Sequence, residues 1–200
     1  MKQINKKLRA ADNKFRALTS LNQCEYEFVL PVFDELVCER LKYYTLKGRR
    51  RVIKSYHEAA NSSLPGSRSK LDFLLMYLKE NVGQAYHGCH FGMSQSKVSE
   101  WVSFLLPLLE SCLNKLGFQP QTGSVFHFPS QAQSDYLIGD VTERSIPRRK
   151  CNDAQQDEYS GKKKCHTVKN LAICDSNGTV VYLGETYEGS MHDKTIFDDL

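Results

Sequence analysis

The residues of this chain whose types and order suit chemistry lie between 136 and 193. A short apolar run, Tyr136-Leu-Ile-Gly-Asp140-Val-Thr142, delivers an aspartate on a strand. A basic turn follows, Ser145-Ile-Pro-Arg-Arg-Lys150, then Tyr159-Ser-Gly-Lys-Lys-Lys-Cys-His-Thr-Val-Lys169, and the stretch closes on Gly189-Ser-Met-His-Asp193. A carboxylate buried in a strand is costly without a partner, and a hard cation is one natural compensation. A salt bridge to a nearby arginine and a solvated strand end are the others. If Asp140 holds Mg²⁺ or Mn²⁺, the matching chemistry is phosphodiester cleavage. There, two such ions about 3.5–4 Å apart activate the nucleophile and stabilise charge at phosphorus. Gly161-Lys-Lys-Lys is not a nucleotide-binding P-loop, because the earlier glycine and the Lys-Ser/Thr ending are missing.

The elements that must position these residues are strands. Tyr136–Val141 is nearly continuous in apolar character, as a strand buried on both faces should be. Cys165–Cys174 and 179–187 read as two more strands. Asp175-Ser-Asn-Gly178 between them predicts a hairpin with a tight turn in which Asn and Gly both take positive φ. Ser190-Met-His-Asp193 matches a capping box, with Ser190 capping a helix and Asp193 reaching back to the cap N–H.

The front of the chain is helical and basic. Residues 20–60 carry Leu21, Tyr26, Phe28, Val29, Phe33, Leu36, Val37 and Leu41 near a 3.6-residue period, with Pro31 expected in a first turn or at a break. Residues 61–67 read as a loop. Leu71, Leu74, Leu75 and Leu78 mark a helix ending near Asn81, and a short helix follows over 84–91. After a turn at Gly92, Ser94 or Ser96 should cap a longer helix. Its stripe is Val98, Trp101, Val102, Leu105, Leu106, Leu109 and Leu113, with a kink at Pro107 and an end at Gly117. Three helices with a glycine-bearing turn before the last form a helix-turn-helix pattern. Gln95, Ser96, Lys97, Ser99 and Glu100 then face a major groove, where Gln and Ser read base edges and Lys holds phosphate. An ordinary helical bundle with a solvated face satisfies the same periodicity.

Charge favours a nucleic-acid partner. The net charge is +4, but residues 1–70 hold 15 Lys/Arg against 7 Asp/Glu, whereas residues 131–200 hold 9 against 12. The field is densest at 47–54, where Arg49, Arg50 and Arg51 lie, and suits salt-sensitive phosphate contacts, while a solvated basic helix end satisfies the same charges. Seven cysteines without a Cys-x-x-Cys pair give neither a disulfide framework nor zinc spacing. His87-Gly-Cys89-His90 is too closely spaced to enclose an ion alone. No apolar stretch is long enough to span a bilayer, and no secretory leader is visible, so a bacterial cytoplasmic, nucleoid-associated protein is expected.

The motif order over 139–193 resembles the first half of the catalytic domain of Asp-Asp-Glu transposases of the PIF/Harbinger-like, bacterial insertion-sequence type. Phe91-Gly-Met-Ser-Gln-Ser-Lys-Val-Ser-Glu-Trp101 resembles the helix-turn-helix that precedes it. The resemblance covers about residues 68–200 and implies an α+β chain. Residues 1–66 form a basic helical region, 67–118 a DNA-binding helix-turn-helix and 119–134 a linker with a short strand near 125–128. Residues 135–200 form an incomplete RNase H-like α/β domain, with three strands and the start of the first helix. It further implies Asp140 as catalytic metal ligand for Mg²⁺ or Mn²⁺, although Val141 stands where the family has glycine. Arg148, Arg149, Lys162, Lys163 and Lys164 are then contacts to DNA phosphates, DNA at element ends is the partner, and a homo-oligomer is possible. Asp193 is either a second catalytic aspartate or the capping residue described above. In the RNase H-like order the second ligand follows a fourth strand, so the second Asp and the Glu are expected beyond Leu200. Two functions follow: a transposase, whole only if a frameshift supplies the rest, or a non-catalytic DNA-binding regulator derived from one.

Overall fold

A computed structural model describes residues 12–123 and 136–199, which divide into two compact units, Met1–Phe118 and Gln119–Leu200. The strand read near 125–128 and most of the stretch read as linker lie outside the described residues.

The first unit is all helical. Residues 12–19 form α1, and Ser20 ends it with φ of 67°. Asn22 then opens α2 (Gln23–Tyr43) with a reciprocal box: its Oδ1 accepts from Glu25 N–H at 2.9 Å, and its own N–H donates to Glu25 Oε2 at 2.7 Å. Tyr26, Val29, Phe33, Val37 and Leu41 recur at three- and four-residue steps and are buried, the stripe by which α2 enters the core. Two expectations fail here. Pro31 lies well inside α2, and the helix ends at Tyr43 rather than running to residue 60. The chain then turns at Gly48 to form a Tyr44–Arg50 bridge, and Arg51 Nε donates to the Leu41 and Tyr44 carbonyls that the helix end leaves open. The basic run is thus a folded-back loop, not a helix end. Phe28, read as part of the stripe, is exposed.

Three helices follow: α3 (Gly66–Glu80), α4 (Gln84–Phe91) and α5 (Gln95–Lys115). Ser94 caps α5, accepting from Lys97 N–H. The helix runs 21 residues through Pro107 and ends with Gly117 at φ of 73°. Its buried face is Val98, Trp101, Phe104, Leu105, Leu108, Leu109 and Cys112. Leu106 is exposed and Val102 and Leu113 only half-buried, so the face is rotated from the one read off periodicity. The rotation lets α5 meet α2 and α4 together, and one core joins α2, α3 and α5. His87 is packed among Phe73, Tyr77 and Phe91 and donates to the Phe73 carbonyl at 3.0 Å. Burial pushes its pKa down, and Cys89 beside it is exposed, so the His-Gly-Cys-His run is core and surface.

The second unit is built on a mixed sheet. Its elements are β1 (Gln121–Gly123), β2 (Ile138–Ser145), α6 (Asn152–Asp157), β3 (Tyr159–Ser160), β4 (Cys165–Cys174), β5 (Val180–Glu188) and α7 (Asp193–Asp198). The order is β1-β5-β4-β2, with β1 parallel to β5 and the other pairs antiparallel, while β3 pairs with the start of β4. Residues 121–123, read as linker, are therefore a strand, held also by Tyr182 Oη donating to the Gly123 carbonyl at 2.7 Å. The β4–β5 hairpin forms where the sequence places it, with a different turn. Asp175 accepts through Oδ1 from Asn177 and Thr179 N–H and through its carbonyl from Gly178 N–H. Only Gly178 has positive φ, 82°, so this is a type I turn closed by a glycine bulge.

Leu171, Ile173, Tyr182 and Ile196 form the small core of this unit, on the face that α7 covers. Gly139 of β2 lies on that face: a Cβ there would sit 2.7 Å from Phe197 Cε1. β2 departs from its expected burial on both faces. Among the described residues it pairs only with β4, Ile138 is exposed, and its remaining positions are exposed or half-buried.

Candidate nucleic-acid interface and carboxylate strand

In the helical unit, α4, the turn at 92–94 and α5 make the helix-turn-helix. Its two helices meet closely at Gly88, where a Cβ would come 2.5 Å from the Met93 carbonyl and 3.3 Å from Val98. Val98 is fully buried, so the flanking residues of the first turn point outward: Gln95, Ser96 and Lys97 are exposed and Ser99 and Glu100 half-buried. Gln95 Nε2 donates to Gln84 Oε1 at 3.1 Å, which fixes its amide across the two helices. Glu100 accepts from Lys97 Nζ at 3.1 Å and pairs with Lys47 of the 44–51 loop at 3.4 Å. These bonds, the Lys97 bond first, hold the Glu100 carboxyl below the usual carboxylate range. Arg49 and Arg50 are exposed on the same loop, whereas Arg51 is half-buried with its Nε committed to backbone carbonyls.

In the sheet unit Asp140 is the third residue of β2, opposite Ala172 of β4. Neighbouring side chains of a strand point to opposite faces, so Asp140, Thr142 and Arg144 lie on the face away from α7. Asp140 is exposed, and its Oδ1 accepts from the next N–H, of Val141, at 2.9 Å. The buried position toward the strand's C-terminal end expected for it is thus corrected: Asp140 is third of eight residues, and among the described residues β2 has a neighbour on one side only, which leaves this carboxylate in water. Among the described residues no group of three or more His, Cys, Asp or Glu can hold a metal. A hard divalent ion asks for several oxygen ligands, and this one carboxylate does not make a set, so the residues present do not by themselves fit the ion.

Asp193 has a partner that its local sequence does not show. It is the first residue of α7, and the cap is His192, whose Nδ1 accepts from Lys194 N–H at 3.2 Å. The Ser190 box is not formed. Instead Lys169 Nζ, nearly buried in β4, donates to Asp193 Oδ1 at 2.9 Å and to the Met191 carbonyl at 2.7 Å. The Lys169 bond is the main reason the Asp193 carboxyl lies below its ordinary range. A group depressed in the fold contributes stability above its unfolded pKa and loses it as pH falls through the folded pKa. Asp193→Ala should therefore destabilise the sheet unit by about 1 kcal/mol at neutral pH, a modest figure because the carboxylate is half in solvent. The loss should vanish in acid below the carboxylate range. Amide exchange of β4 at pH 7 and pH 3 measures it, and an equal loss at both would refute the pairing.

Two of the five residues of the basic border are engaged. Arg148 Nε donates to Gln155 Oε1 at 2.7 Å, and Arg149 pairs with the buried Glu158 at 2.7 Å. Lys162, Lys163 and Lys164 are exposed in the turn between β3 and β4. Sequence reading missed Lys169 and Glu158. A lone lysine in an otherwise buried strand was the available signal for the first, because such an ammonium demands an anion. Glu158 had no local signal.

The comparisons agree with this geometry. Residues 63–115 match the family model described as helix-turn-helix of DDE superfamily endonuclease, which spans α3 to α5. Residues 140–200 match the model of the DDE superfamily endonuclease, beginning at Asp140. No curated protein and no solved structure matches the chain. The family generally depends on divalent metal, and no helix among the described residues is long and apolar enough to cross a membrane. Together the two matches support a DDE superfamily transposase with an N-terminal helix-turn-helix.

Proposed function

We propose that the chain is the DNA-reading and leading catalytic portion of a transposase of the PIF/Harbinger-like, bacterial insertion-sequence type, acting in the cytoplasm at element ends. The observation that carries this reading is the first turn of α5, where Gln95, Ser96 and Lys97 stand in solvent around a buried Val98 on a helix capped by Ser94. In a helix-turn-helix the N-terminal residues of the second helix meet base edges. Gln95 and Ser96 are assigned to bases, Lys97 and the 49–51 arginines to phosphates, with Ser99 beside them. In the second unit the antiparallel β2-β4-β5 order supports reading it as the start of an RNase H-like sheet. Asp140 is then the leading carboxylate for Mg²⁺ or Mn²⁺, and Arg148, Arg149 and Lys162 to Lys164 are the phosphate-facing border. A role for Asp193 at the metal competes there with its bond to Lys169.

A second reading, a non-catalytic DNA-binding regulator, needs only the helical unit, whose α5 presents Gln95, Ser96 and Lys97 to solvent. Fluorescence anisotropy with a duplex carrying the element ends tests the shared core of both. Affinity should fall by at least ~10-fold between about 50 and 200 mM salt. The Gln95→Ala, Ser96→Ala, Lys97→Ala triple variant should lose a further ~10-fold and its preference for element ends over random duplex. Binding indifferent to salt and to the triple variant would refute DNA reading by α5. Mg²⁺-dependent nicking that Asp140→Ala abolishes would decide for the transposase against the regulator.

A further inference from the structure

The 44–62 segment lies outside the matched helix-turn-helix, yet it folds against the first turns of α5. Between them is a cavity of about 620 Å³, lined by Lys47, Arg49 and Arg51 from the segment and by Lys97, Glu100 and Trp101 from α5, among others. Four of these residues are cations and one is an anion. The anion, Glu100, stands between Lys47 at 3.4 Å and Lys97 at 3.1 Å, so it occupies the position an external anion would take between two ammonium groups. The loop that carries Lys47 is built rather than loose: Arg51 ties it to the end of α2, its guanidinium also lies 5.4 Å from the Tyr56 ring, and the Tyr44–Arg50 bridge closes it. A helix-turn-helix lying in a major groove has a sugar-phosphate strand running beside the first turns of its reading helix. Lys97, Glu100 and Trp101, which line this cavity, belong to those first turns.

We propose that the cavity is a seat for one DNA backbone phosphate, and that Glu100 closes it in the free protein until the phosphate takes its place between Lys47 and Lys97. The inference rests on the reading of α5 as the DNA-contacting helix and extends the DNA surface to a loop beyond the helix-turn-helix. Charge decides the occupant: a phosphodiester gains two ammonium partners with the planar cation of Arg49 nearby, while a base edge would gain little from them. Holding Glu100 there also discriminates. Non-specific duplex must displace an internal anion, and a well-seated site recovers that loss through base contacts.

The test is anisotropy with the full chain and a random-sequence duplex across a salt series. Lys47→Gln should weaken binding about 3- to 10-fold and reduce the salt slope by about 1. Glu100→Gln should tighten random-duplex binding about 3- to 10-fold and narrow the margin for element ends. In the Lys47→Gln background the gain from Glu100→Gln should shrink to about 2-fold or less, because the two act on one contact. Glu39→Gln, removing an exposed carboxylate of α2, controls for net charge alone and should change affinity by less than about 2-fold. A wild type that binds DNA with Lys47→Gln silent, or with the Glu100→Gln gain undiminished in the double variant, overturns the seat and leaves the reading of α5 standing. A wild type that binds no DNA overturns both. Inorganic phosphate at matched ionic strength should not compete with DNA, and strong competition would overturn the assignment to backbone phosphate.

Discussion

Replacing Lys70 with methionine should lower the unfolding free energy of the helical unit by about 3 kcal/mol, near the upper end for losing donors to buried acceptors. Methionine keeps most of the stem and removes the ammonium, whose Nζ also lies 5.5 Å from the centre of the Trp101 ring. In the wild type that ammonium, 2% exposed, donates to the Leu64 carbonyl at 2.7 Å, to the Gly66 carbonyl at 3.0 Å and to Glu58. The helix it serves, α3, begins at Pro65 without a side-chain cap, and Glu58 supplies one from eight residues upstream by accepting from Gly66 N–H at 2.7 Å. Lys70 and Glu58 therefore secure one helix start together. Burial pushes the Glu58 carboxyl up, but its bonds from Lys70 and Gly66 outweigh this and hold it below its ordinary range. Its folded pKa is lowered, so the stability it contributes is present above the unfolded pKa and lost as pH falls through the folded one. The difference between wild type and variant should accordingly shrink below about pH 4. The chain has one tryptophan, Trp101, in this unit, so its fluorescence in urea reads the helical unit alone. A midpoint shift worth less than about 0.5 kcal/mol would refute the account, since that is the scatter of a surface substitution.

Gly189→Ala should damage the second unit at least as severely, by about 3 kcal/mol or more, at or beyond the upper end for overpacking. A Cβ at 189 would lie 2.6 Å from the Glu158 carbonyl and 2.7 Å from the Thr167 carbonyl and would clash with Thr167 Oγ1. None of these atoms can yield cheaply. Thr167 is fully buried, its N–H donates to that Glu158 carbonyl at 2.8 Å, and its Oγ1 donates to Glu143 at 2.8 Å. Ser190 N–H donates to Asp157 at 3.0 Å, so the chain after Gly189 is anchored as well. Displacing β5 here would also loosen Met191 and Asp193 from Lys169. Amide exchange of β4 and β5 in the full chain should accelerate across the strands, while Trp101 fluorescence stays at its wild-type midpoint. Unchanged protection of β4 would show that this junction can relax and would refute the prediction. Gly189 stands out in sequence as the start of the Gly189–Asp193 signature, but the reason for glycine is the close approach of three chain segments.

Much of the fold was legible because its signals are local. The period of α2, the serine before α5, the glycine after it and the Asp-Ser-Asn-Gly turn each act within about four residues, the reach of one helical turn or one hairpin loop. The failures share another cause. Pro31 tolerates a helix interior because α2 is held by a core that sequence does not display, and the rotated face of α5 follows from its two packing partners. β2 reads as doubly buried, yet Ile138 is exposed and Val141 only half-buried, because among the described residues α7 covers one face of the strand and no element covers the face that bears Asp140. The polar half of the candidate site was the least legible. Lys47 with Glu100, Lys169 with Asp193, Arg149 with Glu158 and Lys70 with Glu58 join residues 9 to 53 positions apart.

By itself, then, the sequence determined the helix-turn-helix with its outward Gln95, Ser96 and Lys97, the strand bearing Asp140 and the resemblance to the DDE superfamily endonucleases. Those depend on residue order and on periods that adjacent peptide units impose. Only the tertiary structure decided which charges are committed and which stand free to meet a ligand. Asp193 is held by Lys169, Arg149 by Glu158, and Glu100 between two lysines, while Asp140 lies open on its strand. An ion pair is fixed by distance in space, and distance in space between remote residues exists only once the chain has packed.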